Sequence, residues 1–367
     1  MTPSVYLDYN ATAPLRHEAR DAVLASLEVT GNPSSVHGFG RAARSILETA
    51  REEVAALAGV APRLVTFTSG GTEANQMALN GLAVERVLIS AVEHPSVLKA
   101  CDNPTIIPVD DAGRVDPDAL DTLLAAGQGR ALLSVMAANN ETGVIQPLAD
   151  IANVAHRHDA VLHVDTVQAA GKLDLDAIDA DLMTLSGHKL GGPAGAGALV
   201  RKRELQLRPL MRGGGQELGL RAGTEPLSAI AGFGAAARAC LDDDVTSWRS
   251  RRDRLEANVM ASTTSAAVVA GDVDRLANTS ALAMPGVGAE TLVMAFDLAG
   301  VAVSAGSACS SGKVGPSHVL TAMGRDDIAA NTVRISHGWA TTDHDIDVFL
   351  AAWTDIARRL GGGQHAA

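Results

Sequence analysis

The sequence predicts an α/β protein with a mostly parallel sheet, and three observations carry this prediction. From about residue 63, short apolar or β-branched runs alternate with helical stretches, which is the pattern of strands joined by crossover helices. Hydrophobic residues make up 47% of the 367-residue chain, enough for a sizeable core. A chain of this length is also expected to form two domains, or one large α/β domain with a smaller companion.

Five short apolar runs are predicted to be strands, and helical stretches separate them. The runs cover 64–68, 86–90, 105–109, 131–136 and 161–165. Between them, the stretches 116–126 and 148–159 carry apolar residues at a spacing of three to four, which favours helices. Strands and helices therefore alternate through the first half of the chain.

The second half is predicted to begin with one long helix over roughly 235–260, because this stretch is rich in charge and has neither proline nor glycine. Short predicted strands with intervening helices follow it, within 277–285, 301–306 and 332–336. We expect the long helix to link a large domain to a smaller α/β domain.

Composition and charge exclude several classes of function. With 30 Lys and Arg against 42 Asp and Glu, the net charge is −12, and aromatic residues make up only 3%. An acidic chain with no basic block and few aromatic rings is not expected to bind nucleic acid. No uncharged stretch is long enough for a membrane span, and the N-terminus lacks the features of an export signal. We therefore expect a cytoplasmic protein without membrane contact.

The three cysteines form an odd and sparse set that fits a reducing compartment. Cys240 is expected to be a small core residue, and Cys101 has no polar activating neighbour in sequence. Cys309 lies in 304–312, where no residue is larger than Cys309 itself. An exposed thiol in such a loop is suited to nucleophilic attack, although on the residues alone a structural cysteine in a Gly/Ser turn is the commoner explanation. No His or Cys spacing indicates a structural metal.

A glycine loop follows the first predicted strand. Gly70, Gly71 and Thr72 lie between that strand and a helical stretch. Two glycines allow a tight turn, and the amides at the start of a helix suit a phosphate. On the residues alone, an ordinary glycine turn with Thr72 as helix cap is equally open.

Polar residues also stand at the ends of two later strands. Asp165 ends the fifth predicted strand, and Gln168 follows it; such a carboxylate can pair with a cationic ring nitrogen, or serve as a metal ligand or helix cap. Lys189 ends an apolar run, with Ser186 and His188 shortly before it. A desolvated amine at that place is suited to Schiff-base chemistry. Phosphate loop, carboxylate and lysine in this order suit pyridoxal 5'-phosphate (PLP).

The sequence resembles the cysteine desulfurases of the NifS/IscS type, which are class V PLP-dependent enzymes of fold type I. The resemblance runs in order through nearly the whole chain, in the segments 6–14, 31–40, 68–76, 93–98, 139–147, 163–172, 186–199, 213–225, 306–312 and 332–336. It implies a large domain with a mostly parallel seven-stranded sheet, and a smaller α/β domain. The implied bounds are 14–245 for the large PLP-binding domain, and 1–13 with 246–367 for the small domain that carries the cysteine loop.

The resemblance also implies roles for the residues that would hold the cofactor. Lys189 would form the Schiff base, Asp165 would pair with the pyridine nitrogen, and Gln168 with the ring hydroxyl. His94 would stack on the ring and help to move protons. Contacts to the phosphate are implied for Gly71, Thr72, Ser186 and His188, and for Thr224 of a second subunit. The implied assembly is therefore a homodimer.

For the substrate, the resemblance implies contacts from Asn10, Asn139 and Arg334, with Asn139 also touching the cofactor. The implied reaction removes sulfur from L-cysteine and gives L-alanine. Cys309 would carry the sulfur as a persulfide to an acceptor such as an iron–sulfur cluster scaffold, and would be a transient iron–sulfur ligand during transfer.

Two kinds of alternative stay open at this point. Within the same class of enzyme, the alternatives are a selenocysteine lyase and an aminotransferase. A non-catalytic sulfur carrier or scaffold partner of the same fold is a rival from another class of protein, and the presence of Lys189, Asp165 and His94 disfavours it.

Overall fold

The structure is a computed structural model that describes residues 5–305 and 315–361. Its α-helices are α1 (His17–Leu27), α2 (Gly38–Ala58), α3 (Gly71–Asn80), α4 (Pro95–Leu98), α5 (Pro117–Ala125), α6 (Leu148–Arg157), α7 (Leu227–Ala239), α8 (Val245–Ser262), α9 (Ala289–Leu298), α10 (His318–Ala322) and α11 (Asp343–Leu360). Its strands are β1 (Val5–Tyr6), β2 (Val65–Thr68), β3 (Arg86–Ser90), β4 (Thr105–Ile107), β5 (Ala131–Met136), β6 (Val161–Asp165), β7 (Leu182–Ser186), β8 (Gly197–Arg201), β9 (Ala267–Val268), β10 (Thr279–Ala283), β11 (Val301–Ala302) and β12 (Thr332–Ser336).

A seven-stranded sheet with the order β2-β8-β7-β6-β5-β3-β4 occupies the first part of the chain. Strand β8 pairs antiparallel with both β2 and β7, and the other pairings are parallel. Six of the seven strands therefore run in one direction. The predicted α/β class and the mostly parallel seven-stranded sheet are confirmed.

The predicted strands agree closely with the sheet. Strands β3, β5 and β6 have the predicted bounds, and β4 ends two residues earlier than predicted. Pro108 follows β4 directly, and because proline has no backbone N–H it cannot continue a ladder of hydrogen bonds. These strands consist largely of buried β-branched and aliphatic residues, and such runs are recognisable from the local sequence alone.

The predicted helices α5 and α6 also form, and their ends follow the capping rules. Asp116 accepts a hydrogen bond from the backbone N–H of Asp118 at 3.0 Å, and Pro117 takes the first helical position. In α6 the buried face consists of Ile151, Ala152, Val154 and Ala155, and the helix covers the sheet.

The prediction of one continuous helix over 235–260 is wrong. Helix α7 ends at Ala239, a short turn follows, and α8 begins at Val245. The break lies at three consecutive aspartates, 242–244. Negative charge is unfavourable at a helix C-terminus and favourable at an N-terminus, and Asp244 caps α8 by accepting from the N–H of Ser247 at 3.1 Å. Asp243 forms an ion pair with Arg16.

The later part of the chain has its own sheets and its own core. Strands β12, β10 and β9 form an antiparallel sheet, and β1 pairs with β11. One apolar cluster unites Val5 and Leu7 with buried side chains between 255 and 356, whereas the main cluster lies within 19–240. The predicted domain bounds, 14–245 for the large domain and 1–13 with 246–367 for the small one, stay a proposal. A smaller cluster joins Val92 to residues of the later part.

Among the described residues, no helix combines the length and the apolar character that crossing a membrane requires.

Strand β8 passes so close to the glycine loop before α3 that its first residue, Gly197, has no room for a side chain. A Cβ on Gly197 would lie 2.6 Å from Cα of Gly70 and 2.5 Å from its carbonyl carbon. We expect Gly197→Ala to lower the free energy of unfolding by about 1–3 kcal/mol, since the loop must shift to admit the methyl group. Urea unfolding of the cofactor-free protein measures this.

The control is Gly70→Ala, at the other side of the same contact. A Cβ there meets nothing within 4 Å, so its effect on stability is expected to be small. Equal losses of stability in the two variants would contradict the steric explanation.

Candidate active site

The candidate site lies at the carboxyl ends of the parallel strands. Asp165 is the last residue of β6, Ser186 is the last residue of β7, and Lys189 ends the short turn that follows β7. The glycine loop that follows β2 opens at the same edge, because β2 runs in the same direction. Ligands of open α/β sheets bind at this edge.

The amine of Lys189 is held by the N-terminal segment. Its Nζ donates to the carbonyl oxygens of Asn10 at 2.6 Å and Ala11 at 2.7 Å. The pKa of Lys189 is lowered to about 8, mainly by burial and then by the positive charge of Arg334, while Asp8 and Asp165 act in the opposite direction. A large part of this amine is therefore neutral near pH 8, as a nucleophile or a proton acceptor requires.

Asp165 is a buried carboxylate whose oxygens are held by neutral donors. Oδ1 accepts from the N–H of Val167 at 3.0 Å, and Oδ2 accepts from Nδ2 of Asn75 at 2.9 Å. Burial raises the pKa of Asp165. A cationic group beside it would restore the charged form, because opposite charge favours ionisation.

His94 caps the short helix α4 and lies close enough to Asp165 and Lys189 for their charges to act on it. Its Nδ1 accepts from the backbone N–H of Ser96 at 3.1 Å and lies 2.8 Å from the Ser96 hydroxyl. Desolvation lowers the pKa of His94, and the charges of Asp165 and Lys189 both act on it. The ring is therefore neutral near pH 7. Because Nδ1 accepts, the ring proton lies on Nε2.

Asn10 and Gln168 meet at one carbonyl group. Nε2 of Gln168 donates to the carbonyl of Asn10 at 3.0 Å, the same oxygen that accepts from Lys189. The side chain of Asn10 donates to the carbonyl of Asn140 at 3.1 Å and to Oγ1 of Thr279 at 3.0 Å. Oε1 of Gln168 is buried and has no hydrogen-bond partner in the ranges 5–305 and 315–361.

Arg334, on β12, reaches the same region from the later part of the chain. Its NH1 donates to the carbonyl of Asn140 at 3.1 Å, and its NH2 donates to Oδ1 of Asp8 at 2.7 Å. Asn10 and Arg334 thus share the Asn140 carbonyl as acceptor. The structure brings together the predicted residues Asn10, Arg334 and Lys189.

Asn139 has a structural task in this arrangement. Its Nδ2 donates to the carbonyl of Val92 at 3.1 Å, and its Oδ1 accepts from the N–H groups of Glu141 at 2.8 Å and Thr142 at 3.0 Å. These bonds fix the loop after β5 against the segment after β3. A contact from Asn139 to cofactor or substrate stays a prediction.

The predicted phosphate contacts surround the start of α3. Gly71 and Thr72 are the first two residues of that helix, and a Cβ on Gly71 would lie 3.5 Å from Cβ of Ser186. Nδ1 of His188 lies 3.0 Å from Oγ1 of Thr12, and burial lowers the pKa of His188 to about 4. His188 is therefore neutral near pH 7 and offers a neutral imidazole to an anion.

Two predicted residues are not joined to this group by the described contacts. Thr224 is exposed on the segment before α7, which fits a surface that faces another chain. Cys309 lies outside the described residues, so its predicted role is untested. Within the described ranges, no cluster of three or more His, Cys, Asp or Glu side chains could hold a metal ion.

Sequence reasoning missed two residues of the site, Asn75 and Asp8. Asn75 is buried on α3 and holds Asp165, and it stands one helical turn after Thr72, a spacing that could have placed it on the face toward the sheet. Asp8 precedes Asn10 in the same segment, but no sequence signal connects it with Arg334.

Known proteins resemble this chain over nearly its whole length. The family described as "Aminotransferase class-V" matches residues 5–349. A cysteine desulfurase of Cereibacter sphaeroides is 43% identical over 374 residues, covering 97% of this chain and 96% of the relative. The cysteine desulfurase IscS of Dictyoglomus turgidum is 37% identical over 380 residues, covering 98% and 96%.

Solved structures agree with these relatives. A NifS-like protein from Rickettsia africae superposes with a TM-score of 0.89 at 33% identity, covering 97% of this chain and 99% of that one. SspA in complex with cysteine superposes with a TM-score of 0.78 at 31% identity, covering 91% and 98%. The fold and the site at the strand ends are those of the class V aminotransferase family, which has PLP fold type I. The chain belongs to that family and, within it, to the cysteine desulfurases of the NifS/IscS type.

Enzymes of this class are generally PLP-dependent, and the residues present fit that cofactor. Within the described part of the chain, Oε1 of Gln168 is a buried acceptor without a donor, which suits a ring hydroxyl. Asp165 is a buried carboxylate without a cationic hydrogen-bond partner among the described residues, which suits a protonated ring nitrogen. The side of Gly70 on which a Cβ would stand is open among the described residues, and a phosphate there would meet the backbone amides at the start of α3.

In the cofactor-free protein, the amine of Lys189 is expected to be half deprotonated near pH 8, because burial and the charge of Arg334 disfavour its charged form. Its reactivity toward an amine-acylating reagent should therefore rise with pH and level off above this value. Labelling at a series of pH values, read by peptide mass spectrometry, gives the midpoint. The exposed Lys99 is the internal reference, and a Lys189 midpoint near the ordinary value of about 10.4 would contradict the prediction.

Proposed function

We propose that the chain is a PLP-dependent cysteine desulfurase, which takes sulfur from L-cysteine onto Cys309 and releases L-alanine. The observation that carries the proposal is the meeting of Lys189, Asn10 and Arg334 at the edge of the sheet where Asp165 ends β6. This places an amine of lowered pKa beside a guanidinium suited to an amino acid's carboxylate. The relatives from Cereibacter sphaeroides and Dictyoglomus turgidum are named cysteine desulfurases.

The residues that would hold PLP surround the strand ends. Asp165 would keep a proton on the pyridine nitrogen, with Asn75 holding the carboxylate in place, and Gln168 would accept from the ring hydroxyl. The amides of Gly71 and Thr72, with Ser186, His188 and Thr224 of a partner subunit, would bind the phosphate, and His94 would lie on the ring. When bound, PLP withdraws electrons from the α-carbon of an amino acid.

Arg334 would bind and orient the substrate. Its terminal nitrogens are already directed by Asn140 and Asp8, so the guanidinium is in place before an amino acid arrives. Asn10, which donates to the same Asn140 carbonyl, would help to shape this subsite. Holding the carboxylate fixes the α-carbon relative to Lys189.

The hydrogen bonds distinguish two candidates for the proton acceptor at the α-carbon. His94 accepts at Nδ1 from Ser96, so its neutral ring already carries a proton at Nε2 and acts as a donor there. Lys189 has a pKa of about 8, and its neutral amine has a free electron pair. We therefore assign Lys189 as the proton acceptor, and His94 as a proton donor and ring contact.

The sulfur step is a transfer between two sulfur atoms. The thiolate of Cys309 attacks Sγ of the substrate, so an S–S bond forms while the Cβ–Sγ bond breaks. The carbon side keeps the electron pair of the broken bond and takes up a proton, which leads to alanine. The enzyme retains a persulfide, whose outer sulfur passes to an acceptor thiol by exchange.

The acceptor, the location and the oligomeric state are further parts of the proposal. We assign an iron–sulfur cluster scaffold or another acceptor protein as recipient, with Cys309 as a transient iron–sulfur ligand. The free thiols of Cys101 and Cys240 support a reducing, cytoplasmic location. Exposed apolar side chains of Val36, Phe39 and Leu218 support burial against a second subunit in a homodimer.

Replacing the sulfur carrier tests the reaction. The PLP-loaded wild-type protein is expected to release alanine and sulfide in equal amounts from L-cysteine with a thiol reductant. Cys309→Ala should lower sulfide release at least about 100-fold, because the nucleophile is lost. The control is Cys101→Ala, which removes a half-buried thiol in an apolar cluster and should keep the wild-type rate.

The outcomes separate the alternatives. Full sulfide release by Cys309→Ala would exclude the persulfide mechanism. Selenide release from selenocysteine without sulfide release from cysteine would indicate a selenocysteine lyase, and transfer of the amino group to a keto acid would indicate an aminotransferase.

Mixed dimers test the contribution of Thr224 across subunits. Lys189→Ala and Thr224→Ala homodimers should both be impaired, the second through weaker PLP binding. In a mixed dimer of the two variants, one site combines an intact Lys189 with the intact Thr224 of the other chain. Mixed dimers should therefore regain about half of the wild-type activity.

Two results would contradict the shared site. One is an absence of any gain on mixing, measured with differently tagged chains purified as heterodimers. The other is a monomer in size-exclusion chromatography of the active protein.

A further inference from the structure

Asp8 is a charged residue of the site for which the proposed function has no task beyond contact with Arg334. Its Oδ1 accepts from NH2 of Arg334 at 2.7 Å, and the two side chains are 20% and 5% exposed. The other terminal nitrogen of Arg334 donates to the Asn140 carbonyl at 3.1 Å. A guanidinium held at both terminal nitrogens has little freedom to turn.

The backbone fixes the carboxylate of Asp8 in place. Asp8 forms a parallel bridge with Ser336, which follows Arg334 on β12 by two residues. Its carbonyl accepts from the N–H of Ala11 at 3.0 Å. The negative charge is therefore part of the same short segment that delivers the Asn10 and Ala11 carbonyls to Lys189.

The charge of Asp8 reaches both functional cations. Arg334 lowers the pKa of Lys189, and Asp8 raises it, so the carboxylate offsets the effect of the guanidinium on the amine. The titratable or charged groups that act on Lys189 or are acted on by it are Asp8, His94, Asp165, Lys172, His188 and Arg334. Of these, Asp8 is the one bonded directly to Arg334.

We propose that Asp8 is a positioning and charge-balancing residue of the carboxylate subsite. It holds the guanidinium of Arg334 in the orientation that receives an amino acid, and it weakens both the attraction of that guanidinium for the ligand's carboxylate and its repulsion of the Lys189 ammonium. This rests on the proposed function, in which Arg334 binds the carboxylate of the substrate.

Replacing the charge while keeping the shape separates this role from a packing role. In Asp8→Asn, the side-chain carbonyl still accepts from NH2 of Arg334, but the negative charge is gone. The proposal then requires tighter binding of a monocarboxylic amino acid, about threefold or more, because a like charge beside the subsite is removed. It also requires that the labelling midpoint of Lys189 in the cofactor-free protein falls by about 0.5 pH unit or more.

The matched control is Glu256→Gln. Glu256 pairs with Arg275 in the same part of the chain, at 2.7 Å and with side-chain exposures of 13% and 3%, so the variant removes one charge from an equally buried pair outside the site. Asp8→Glu keeps the charge and should keep the labelling midpoint near that of the wild type. Both quantities in Glu256→Gln should equal the wild-type values.

The experiment has two independent measurements. Calorimetry of L-alanine binding to the PLP-loaded protein gives the affinity without turnover, and pH-dependent acylation of Lys189 in the cofactor-free protein gives the midpoint. A wild-type value of either quantity in Asp8→Asn overturns the proposal. If Asp8→Asn does not fold, as judged by circular dichroism, Asp8→Ser is measured instead. Because serine removes the acceptor for Arg334 together with the charge, the labelling midpoint of Lys189 then decides, and a wild-type midpoint overturns the proposal.

Failure of the proposed function would look different. A wild-type protein that releases no sulfide from L-cysteine would refute the desulfurase assignment, while the midpoint of Lys189 in Asp8→Asn would still decide whether Asp8 balances charge. A shifted midpoint with unchanged alanine affinity would show that Arg334 is not the carboxylate subsite, and would overturn the proposal as stated.

Discussion

The carbonyl group of Asn10 is the point on which the site depends. It accepts from the amine of Lys189 at 2.6 Å and from the side chain of Gln168 at 3.0 Å, two residues delivered by the turns after β7 and β6. The Asn10 side chain reaches in the other direction, to Asn140 and to Thr279 on β10. One residue near the N-terminus thus joins the edge of the large sheet to the sheet that carries Arg334. The amine and the guanidinium can face one ligand only when all these contacts hold the two sheets in this relative position.

Of the two carboxylates of the site, Asp8 and Asp165, only one has a positively charged hydrogen-bond partner among the described residues. Asp8 neutralises Arg334 by direct contact, whereas Asp165 is held by neutral donors. Nearby Glu93 is fully buried, and burial together with the charge of Asp165 raises its pKa well above the usual range. Asp165 is the carboxyl that stands at the carboxyl end of β6, where a cationic ring nitrogen would favour its charged form.

Sequence reasoning succeeded where the signal is local. Strands β3, β5 and β6 have the bounds that their apolar runs predict, and Asp165 and Lys189 stand where strand ends place them. It failed at 240–244. The composition of this stretch fits a helix, but its consecutive aspartates favour the start of a new helix, and the total content of charged residues does not show this preference. It also missed Asn75 and Asp8, whose partners are 90 and 326 residues away. Hydrogen bonds between residues so far apart in sequence depend on how whole helices and strands pack, and the local hydrophobic periodicity contains no information about this. The antiparallel direction of β8 is likewise decided by packing between distant segments.

Two buried acceptors of the site bear on the stability of the folded chain. Among the described residues, Oε1 of Gln168 and Oδ1 of Asn75 are buried without a hydrogen-bond partner, on the side chains that donate to the Asn10 carbonyl and to the Asp165 carboxylate. An unsatisfied buried acceptor costs about 1–3 kcal/mol. A ligand hydroxyl that donates to Oε1 of Gln168 would satisfy that acceptor, and a cation beside Asp165 would favour the charged form of its carboxylate. Because a ligand that needs both groups in place binds only the folded chain, its binding energy adds to the free energy of unfolding.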